Sequence, residues 1–222
     1  MKKLLVFLLL VCTITSFAQK DSLQLGDRYA DDQLYFMVTY SQLNNQPDFV
    51  NGSGFSYSLS AGFLKDFILN KRGNLSFALG TGYGFDSFNH GFKITEIAGK
   101  TEVDVDITNL TSNDYFSHSI EFPFEIRWRT SNANKYKFWR IYAGVKASYN
   151  FSNRFYYNDN TVSFKNLSRF NKWQYGLTLS TGYDTFNFHM YYGLSPILKD
   201  APTGLSTITT QILKFGFIFY IL

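Results

Sequence analysis

Charged residues alternate with other residues in two neighbouring segments of the chain, and this spacing is where the sequence could do chemistry. Successive side chains of a β-strand point to opposite faces, so residues two apart share a face. One face of mixed acidic and basic groups predicts either salt bridges inside a protein or a polar path for ions or small solutes. The charged set consists of Glu121, Glu125, Arg127 and Arg129 in the first segment and of Arg140 and Lys146 in the second.

The histidines offer a second candidate for chemistry. The sequence contains three, and His118 lies between Ser117 and Ser119. A lipid hydrolase could use serine and histidine as nucleophile and base. Neighbouring residues of a strand face opposite ways, however, and no acidic group can be assigned to orient the histidine. We therefore predict no catalytic site, and we expect His189 to make a hydrogen bond inside the protein.

Composition argues against several other functions. The sequence contains no metal-ligand cluster, phosphate-binding loop or nucleotide fingerprint, so we predict no metal and no cofactor. The chain has 21 Lys+Arg against 17 Asp+Glu, and loss of Lys2 and Lys3 with a signal peptide leaves 19 against 17. A balance so close to neutral does not predict nucleic-acid binding.

Residues 1–18 have the three parts of a secretory signal peptide. A positive start at residues 2–3 precedes an apolar run at 4–11 and a small-x-small cleavage site at 16–18. The predicted mature chain begins at Gln19, with residues 19–33 as a periplasmic lead-in. Cys12 is the only cysteine. A lipoprotein signal is the alternative, but Val11 is larger than the small residue that normally precedes a lipidated cysteine.

Eight aromatic-rich segments of alternating polarity follow the signal, and aromatic residues make up 19% of the chain. Each segment is near or above the ~9–11 residues that a tilted membrane-crossing strand needs, and no later stretch has the ~18 apolar residues of a membrane helix. Strands in lipid must close to satisfy their backbone groups, and bacterial barrels have an even strand number. We predict an all-β fold, an eight-stranded antiparallel up-and-down transmembrane β-barrel domain at residues 34–222. The predicted strands are Leu34–Leu43, Phe55–Ile68, Leu75–Asp86, Ile120–Arg129, Trp139–Phe151, Lys172–Tyr183, Phe186–Ser195 and Thr209–Ile221.

The connections alternate between short and long. This alternation predicts short periplasmic turns, long extracellular loops and periplasmic termini. A second pattern of alternation at 93–97 and 101–107 predicts a hairpin or outward strand extensions within the longest loop. A ten-stranded barrel is the alternative, but this pair lacks aromatic residues and carries Glu102, Asp104 and Asp106. The short connections are 70–74, 130–137 and 184–185, and the long ones are Asn44–Gly54, Asn89–Asp114, Asn153–Asn171 and Pro196–Ile208.

The two faces of the predicted barrel differ in role. Trp128 and Trp139 flank one short turn and are expected in the periplasmic aromatic belt, with Trp173 in the external one. An eight-stranded barrel is just wide enough for side chains to fill it. We therefore favour interior salt bridges over an ion path for the charged set. Inward glycines, such as Gly82 and Gly176, are expected to make room for larger side chains or to ease the curvature of the wall.

Four segments in the second half of the chain share a strand pattern with a known family. They are residues 119–126, SIEFPFEI, followed by Ile141–Lys146, Gln174–Leu177 and Tyr191–Ser195. These segments resemble successive strands of the PorT-like outer-membrane β-barrel family of Bacteroidetes, and the first is similar to the Leu-Glu-Ile-Pro strand of that family. The resemblance implies an outer-membrane barrel of a Gram-negative cell, in a family whose named member takes part in type IX protein secretion. The chain departs from many such barrels in ending on Leu222 instead of an aromatic residue.

These observations predict a monomeric barrel in outer-membrane lipid that is not an enzyme. The expected role is structural or accessory, in protein secretion or envelope assembly, with other envelope or secretion proteins as partners. Two alternatives stay open at this point. One is a narrow porin or small-solute-binding barrel, and the other is an outer-membrane lipid-modifying enzyme.

Overall fold

A computed structural model describes residues 32–45, 54–90, 93–97, 100–104, 113–130, 139–157, 162–184, 186–199 and 210–221. The predicted signal peptide, almost all of the lead-in, and residues 131–137 of one short connection lie outside the described residues. Within the described ranges, no helix is long and apolar enough to cross a membrane.

Eight long strands form one closed antiparallel sheet. The strands of the described chain are β1 Gln33–Asn44, β2 Tyr57–Ile68, β3 Leu75–Asn89, β4 Lys93–Ile97, β5 Lys100–Asp104, β6 Asn113–Arg129, β7 Trp139–Tyr157, β8 Val162–Lys165, β9 Trp173–Tyr183, β10 Phe186–Gly193 and β11 Gln211–Ile221. Around the barrel the order is β6, β3, β2, β1, β11, β10, β9 and β7, and pairing of β6 with β7 closes the ring. The prediction of an all-β, eight-stranded antiparallel barrel is confirmed.

The hairpin in the longest connection is separate from the barrel. Strands β4 and β5 pair with each other from Lys93↔Asp104 to Ile97↔Lys100 and form their own two-stranded sheet. The described residues therefore contradict the ten-stranded alternative. The second strand of this hairpin runs from Lys100 to Asp104, and residues 105–107 of its predicted range lie outside the described residues.

Strands β6 and β7 are longer than predicted, with 17 and 19 residues. The predicted start at Ile120 and the predicted end at Phe151 are wrong, because the two strands stay paired as far as Asn113↔Tyr157. Strand β8, inside a predicted loop, pairs with this outer part of β7. A membrane crossing needs only ~9–11 residues, so the added lengths extend the barrel wall beyond the bilayer on the side of the long connections.

A β-bulge explains why the outer part of β7 was missed. The register between β6 and β7 shifts at His118/Ser119. Two consecutive residues, Phe151 and Ser152, then lie on the outside, between the buried Asn150 and Asn153. A bulge inserts one extra residue and so reverses which positions face outward. The strict period of two therefore ends at this point of the sequence, although the strand continues.

Burial alternates along each barrel strand. In β1, Tyr35 and Met37 are buried, whereas Leu34, Phe36 and Val38 are exposed. The apolar residues thus form the outer surface, and the interior holds most of the buried polar and charged groups. In a soluble protein the apolar residues are mostly inside and the polar ones outside, so this distribution is reversed. It suits a wall in contact with lipid.

Two glycines create space for interior tyrosines. A Cβ atom added at Gly82 would overlap the Tyr35 hydroxyl, and one at Gly176 would overlap the Tyr191 ring. Only glycine leaves room for these rings against the wall. The glycine spacing therefore sets where large side chains can fill the interior.

Candidate functional site

The interior contains a fully buried arginine layer near the short connection that follows β6. The Nε atom of Arg127 lies 3.0 Å from Glu125 Oε2, and its Nη1 atom lies 3.6 Å from Asp66 Oδ1. Arg129 Nη1 lies 3.0 Å from the other oxygen of Asp66. The Arg127 guanidinium also lies 4.6 Å from the centre of the Tyr142 ring. One carboxylate of β2 therefore holds two arginines of β6, which is the compensation that buried charges require.

Backbone oxygens complete this layer. Arg129 Nε donates to the Gly73 carbonyl at 2.9 Å, and an Arg140 Nη1 group donates to the Asp184 carbonyl. The Arg140 guanidinium lies 5.8 Å from the Tyr220 ring centre. Both carbonyls belong to short connections, so the arginines tie the turns at this end of the barrel to its interior.

Two ion pairs meet at one tyrosine in the middle of the barrel. Lys146 Nζ lies 2.7 Å from Glu121 Oε1, and Lys214 Nζ lies 2.5 Å from Asp86 Oδ1. The two ammonium groups lie 4.9 Å and 5.6 Å from the Tyr191 ring centre. Each lysine therefore has its own carboxylate, and both lie near the same aromatic ring, which stabilises the two charges away from water.

The structure brings the six predicted charged residues into two groups and adds three that the prediction did not select. Asp66, Asp86 and Lys214 supply partners to the arginine layer and to the central pairs. The sequence could have identified them, because all three occupy positions that alternate with the outward-facing residues of their strands. Their partners could not be chosen from sequence, since that choice depends on the register of strands far apart in the chain.

Little space is left between these groups. The cavity bordered by Glu121, Lys146 and His189 has a volume of about 10 Å³, which is at the lower limit for one water molecule. His189 Nδ1 lies 2.8 Å from Ser180 Oγ, so the predicted interior hydrogen bond of this histidine is confirmed. The arrangement can hold charges in fixed positions, and this cavity is too small for a solute larger than water.

An apolar cap fills the mouth of the barrel on the side of the long connections. The cap is formed by Leu167, Phe170, Ile197 and Leu198, which come from two connections and are all buried. Phe170 forms a backbone bridge with Leu198, and its ring centre lies 5.6 Å from that of Tyr115 on the inner wall. The cap was not predicted, because four apolar residues in mainly polar connections give no periodic signal.

His90 packs beside the cap, one residue after the end of β3. Its ring meets the Phe155 ring edge-on with centres 5.4 Å apart, and the residue is buried. Burial disfavours the charged imidazolium and lowers the pKa of His90 to about 3. The histidine is therefore neutral in the folded protein at neutral pH.

One sequence comparison identifies this architecture. The family model described as "Outer membrane protein beta-barrel domain" matches residues 17–199. The chain belongs to this family. No curated protein matches the chain. The protein is therefore an outer-membrane β-barrel, and the exposed apolar face of the sheet is its lipid-facing wall.

The three tryptophans lie on the lipid-facing wall of this outer-membrane barrel. Trp128 and Trp139 are exposed close to the connection between β6 and β7. Trp173 is exposed at the opposite end of the wall, with its ring centre 5.1 Å from that of Tyr149. These positions are the ones that an amphipathic ring occupies at a membrane interface.

His118 and its neighbouring serines lie on opposite sides of the wall. Ser117 and Ser119 are buried in the interior, whereas His118 is on the outer face and its Nδ1 atom lies 2.5 Å from the Tyr83 hydroxyl. The structure thus does not bring either adjacent serine to the histidine. Across the described ranges, no group of three or more His, Cys, Asp and Glu side chains is placed to hold a metal ion.

Proposed function

We propose that the protein is a closed outer-membrane barrel with a non-enzymatic structural or accessory role in protein secretion or envelope assembly. The observation that carries this proposal is the combination of a charge-paired, filled interior with an apolar cap. The paired charges and the cap fill space that a solute would need, which favours a role other than transport. The working surfaces of the barrel are then the parts outside the bilayer.

The ion pairs of the interior argue against a role in transport. A solute that entered would have to separate Lys146 from Glu121 or Lys214 from Asp86, all of which are buried. Removing one partner from a buried ion pair costs about 3–5 kcal/mol. The cavity of about 10 Å³ between these groups is too small for a solute to make new contacts that would compensate for this cost. The pairs are therefore suited to holding the strands together, alongside the buried apolar side chains that fill the rest of the interior.

The cap at the external end of the barrel argues against a porin function. Phe170 and Leu198 join two connections by a backbone bridge, and the Asn171 N–H donates to the Ile197 carbonyl at 2.9 Å. Leu167 N–H donates to the Asn153 side chain at 3.1 Å, which fastens the cap to β7. Hydrogen bonds and buried apolar contacts together give a closed mouth instead of an open vestibule.

The extended wall and the separate hairpin provide surface for a partner. Strands β6 and β7 continue beyond the length that a bilayer needs, and the short β8 pairs with the outer part of β7. Strands β4 and β5 form their own sheet in the longest connection. Exposed strand edges outside the membrane are sites where another chain can add a strand. The resemblance of residues 119–126 and Tyr191–Ser195 to the PorT-like family supports protein secretion as the process.

A pull-down tests the accessory role. Tagged protein is recovered from gently solubilised outer membranes of its own host, and partners are identified by mass spectrometry. We expect stoichiometric secretion or envelope-assembly proteins with the native chain and their loss when residues 93–104 are deleted. As a matched control, Lys71→Ser with Arg72→Ser changes an exposed short turn on the opposite side and should keep them. Recovery of the barrel alone contradicts the proposal.

Planar-bilayer recording tests the closed state independently. The purified barrel is expected to give no steady single-channel conductance. Regular conductance steps from the native chain would contradict a closed barrel and favour the narrow porin.

A further inference from the structure

A polar hollow interrupts the apolar outer wall near its external end. Its volume is about 250 Å³, and it is lined by Phe85, Phe116, His118, Ser152, Arg154 and Tyr156. All six residues are half-buried, although they lie outside the barrel, because they pack against one another. The Phe85 and Phe116 rings stack with centres 6.2 Å apart, and Phe85 lies 5.2 Å from the His118 ring.

The β-bulge in β7 builds this hollow. Without the extra residue at 151–152, the strict alternation of β7 would turn Arg154 and Tyr156 into the interior. With it, Ser152 stands opposite His118 in the register, and Arg154 stands opposite Phe116. Three polar side chains thereby share an outward face with aromatic rings.

Arg154 is the charged group of the hollow. Its guanidinium donates to the Tyr156 hydroxyl at 2.5 Å and lies 5.6 Å from the centre of that ring. Among the residues that the structure describes, no carboxylate forms a salt bridge with Arg154. A guanidinium has five N–H donors, so several are left for an anion.

His118 adds a second donor. The Tyr83 hydroxyl lies 2.5 Å from its Nδ1 atom. With that hydroxyl donating to Nδ1, the other ring nitrogen carries the proton and can itself donate. Ser152, its cross-strand partner, contributes a hydroxyl on the same face. Arginine, imidazole and hydroxyl donors together match the oxygen atoms of a phosphate group.

The position of the hollow selects the source of the phosphate. Counted from Arg129 at the end of β6, ~9–11 residues cross the bilayer, which brings His118 and Phe116 to the level of the external headgroups. On the membrane side, the wall presents the exposed side chains of Ile120, Tyr83 and Phe151. A lipid could place its phosphate in the polar hollow and its acyl chains along these exposed residues, so that polar groups contact polar groups and apolar groups contact apolar ones.

We propose that this hollow binds the phosphate group of an outer-leaflet lipid, with Arg154 and His118 as the phosphate donors. The stacked Phe85 and Phe116 rings and the Tyr156 ring support the apolar part of the headgroup and the first carbons of its chains. The site holds one lipid against the barrel wall at the level where the wall leaves the membrane.

Native mass spectrometry of the purified barrel in an uncharged detergent tests the site. Phosphatidic acid is the probe, diacylglycerol with the same chains lacks only the phosphate, and inorganic phosphate lacks the lipid. We expect retention of phosphatidic acid and an affinity about tenfold lower in Arg154→Gln, the usual scale for a lost charge-assisted hydrogen bond. Lys172→Gln removes an exposed positive charge at the same end of the barrel and should leave the affinity unchanged.

Ser152→Glu is a second variant that keeps Arg154 and places a negative charge in the hollow, so it should weaken phosphatidic acid binding as well. Folding of each variant is checked by its migration on an unheated detergent gel. Equal affinity of native and Arg154→Gln protein, or equal binding of diacylglycerol, overturns the proposal. Binding of inorganic phosphate alone as tightly as phosphatidic acid overturns the lipid as its source.

Discussion

The ion pair between Lys146 and Glu121 gives the strongest test of the interior. The two side chains are 4% and 2% exposed, and Nζ lies 2.7 Å from Oε1. At an effective dielectric constant of about 20, unit charges at this distance attract each other by about 6 kcal/mol. Lys146→Met removes the ammonium and keeps an unbranched side chain. We expect the free energy of unfolding to fall by about 3–5 kcal/mol, because the Glu121 carboxylate is left buried without its partner.

Urea unfolding of the barrel in lipid vesicles, followed by tryptophan fluorescence, measures this loss. The double variant Lys146→Met, Glu121→Gln should recover part of the stability, because it leaves no unpaired charge. The matched control is Lys65→Met, which breaks the salt bridge with Asp32. That pair is 52% and 34% exposed, so its loss should cost less than about 1 kcal/mol.

Two results would refute this reasoning. One is a Lys146→Met barrel as stable as the native protein, which would mean that the pair contributes nothing beyond the hydration it loses. The other is a double variant at least as unstable as the single one. In that case the loss would come from altered packing around Tyr191 and not from the unpaired carboxylate.

Three further predictions concern the fit of the interior and the cap. Gly176→Val should lower the free energy of unfolding by about 1–3 kcal/mol, because the new side chain overlaps the Tyr191 ring; unchanged urea stability would contradict this packing. Because burial lowers the pKa of His90 to about 3, its stabilising contribution is full above the unfolded value of about 6.5 and is lost as pH falls toward 3. From this group alone, stability at pH 5.5 should be about 1.4 kcal/mol below that at pH 7.5, and His90→Gln should remove the difference; an equal slope in both proteins would exclude the histidine as the cause. Phe170→Ala should loosen the cap by about 3–5 kcal/mol, seen as faster amide hydrogen exchange at residues 166–171 with unchanged exchange in β1; uniform protection at both places would show that the cap is not held by this ring.

The barrel could be predicted because its signal is local. In β3, Leu75 to Phe85 alternate with small residues, and each inward or outward assignment needs only the neighbouring residues. The continuation of β7 past Phe151 could not be predicted in this way, since the bulge reverses the alternation. The outer end of β7 is defined by its pairing with β6 and β8. The alternation of neighbouring residues gives no information about these pairings.

The candidate site depended more on distant contacts. The parity of Glu121 and Lys146 placed both charges on one face, but the partnership of Asp66 with two arginines of β6 requires the register across β2, β3 and β6. The cap requires even more, because Phe170 and Leu198 meet only once β9 and β10 are paired. Sequence alternation therefore predicts the wall, whereas the filling of the barrel follows from the assembled sheet.

The seam between β1 and β11 has a consequence for how the chain folds. Leu34 pairs with Ile221 and Asn44 with Gln211, so the two ends of the domain must meet before the ring closes. Contacts this distant in sequence make folding slow, because the loop entropy is lost before the contacts form. Every earlier intermediate keeps two unpaired strand edges that could join other chains. Pairing of β11 with both β1 and β10 removes the last two unpaired edges. A chain truncated before β11 should therefore remain an open, aggregation-prone sheet.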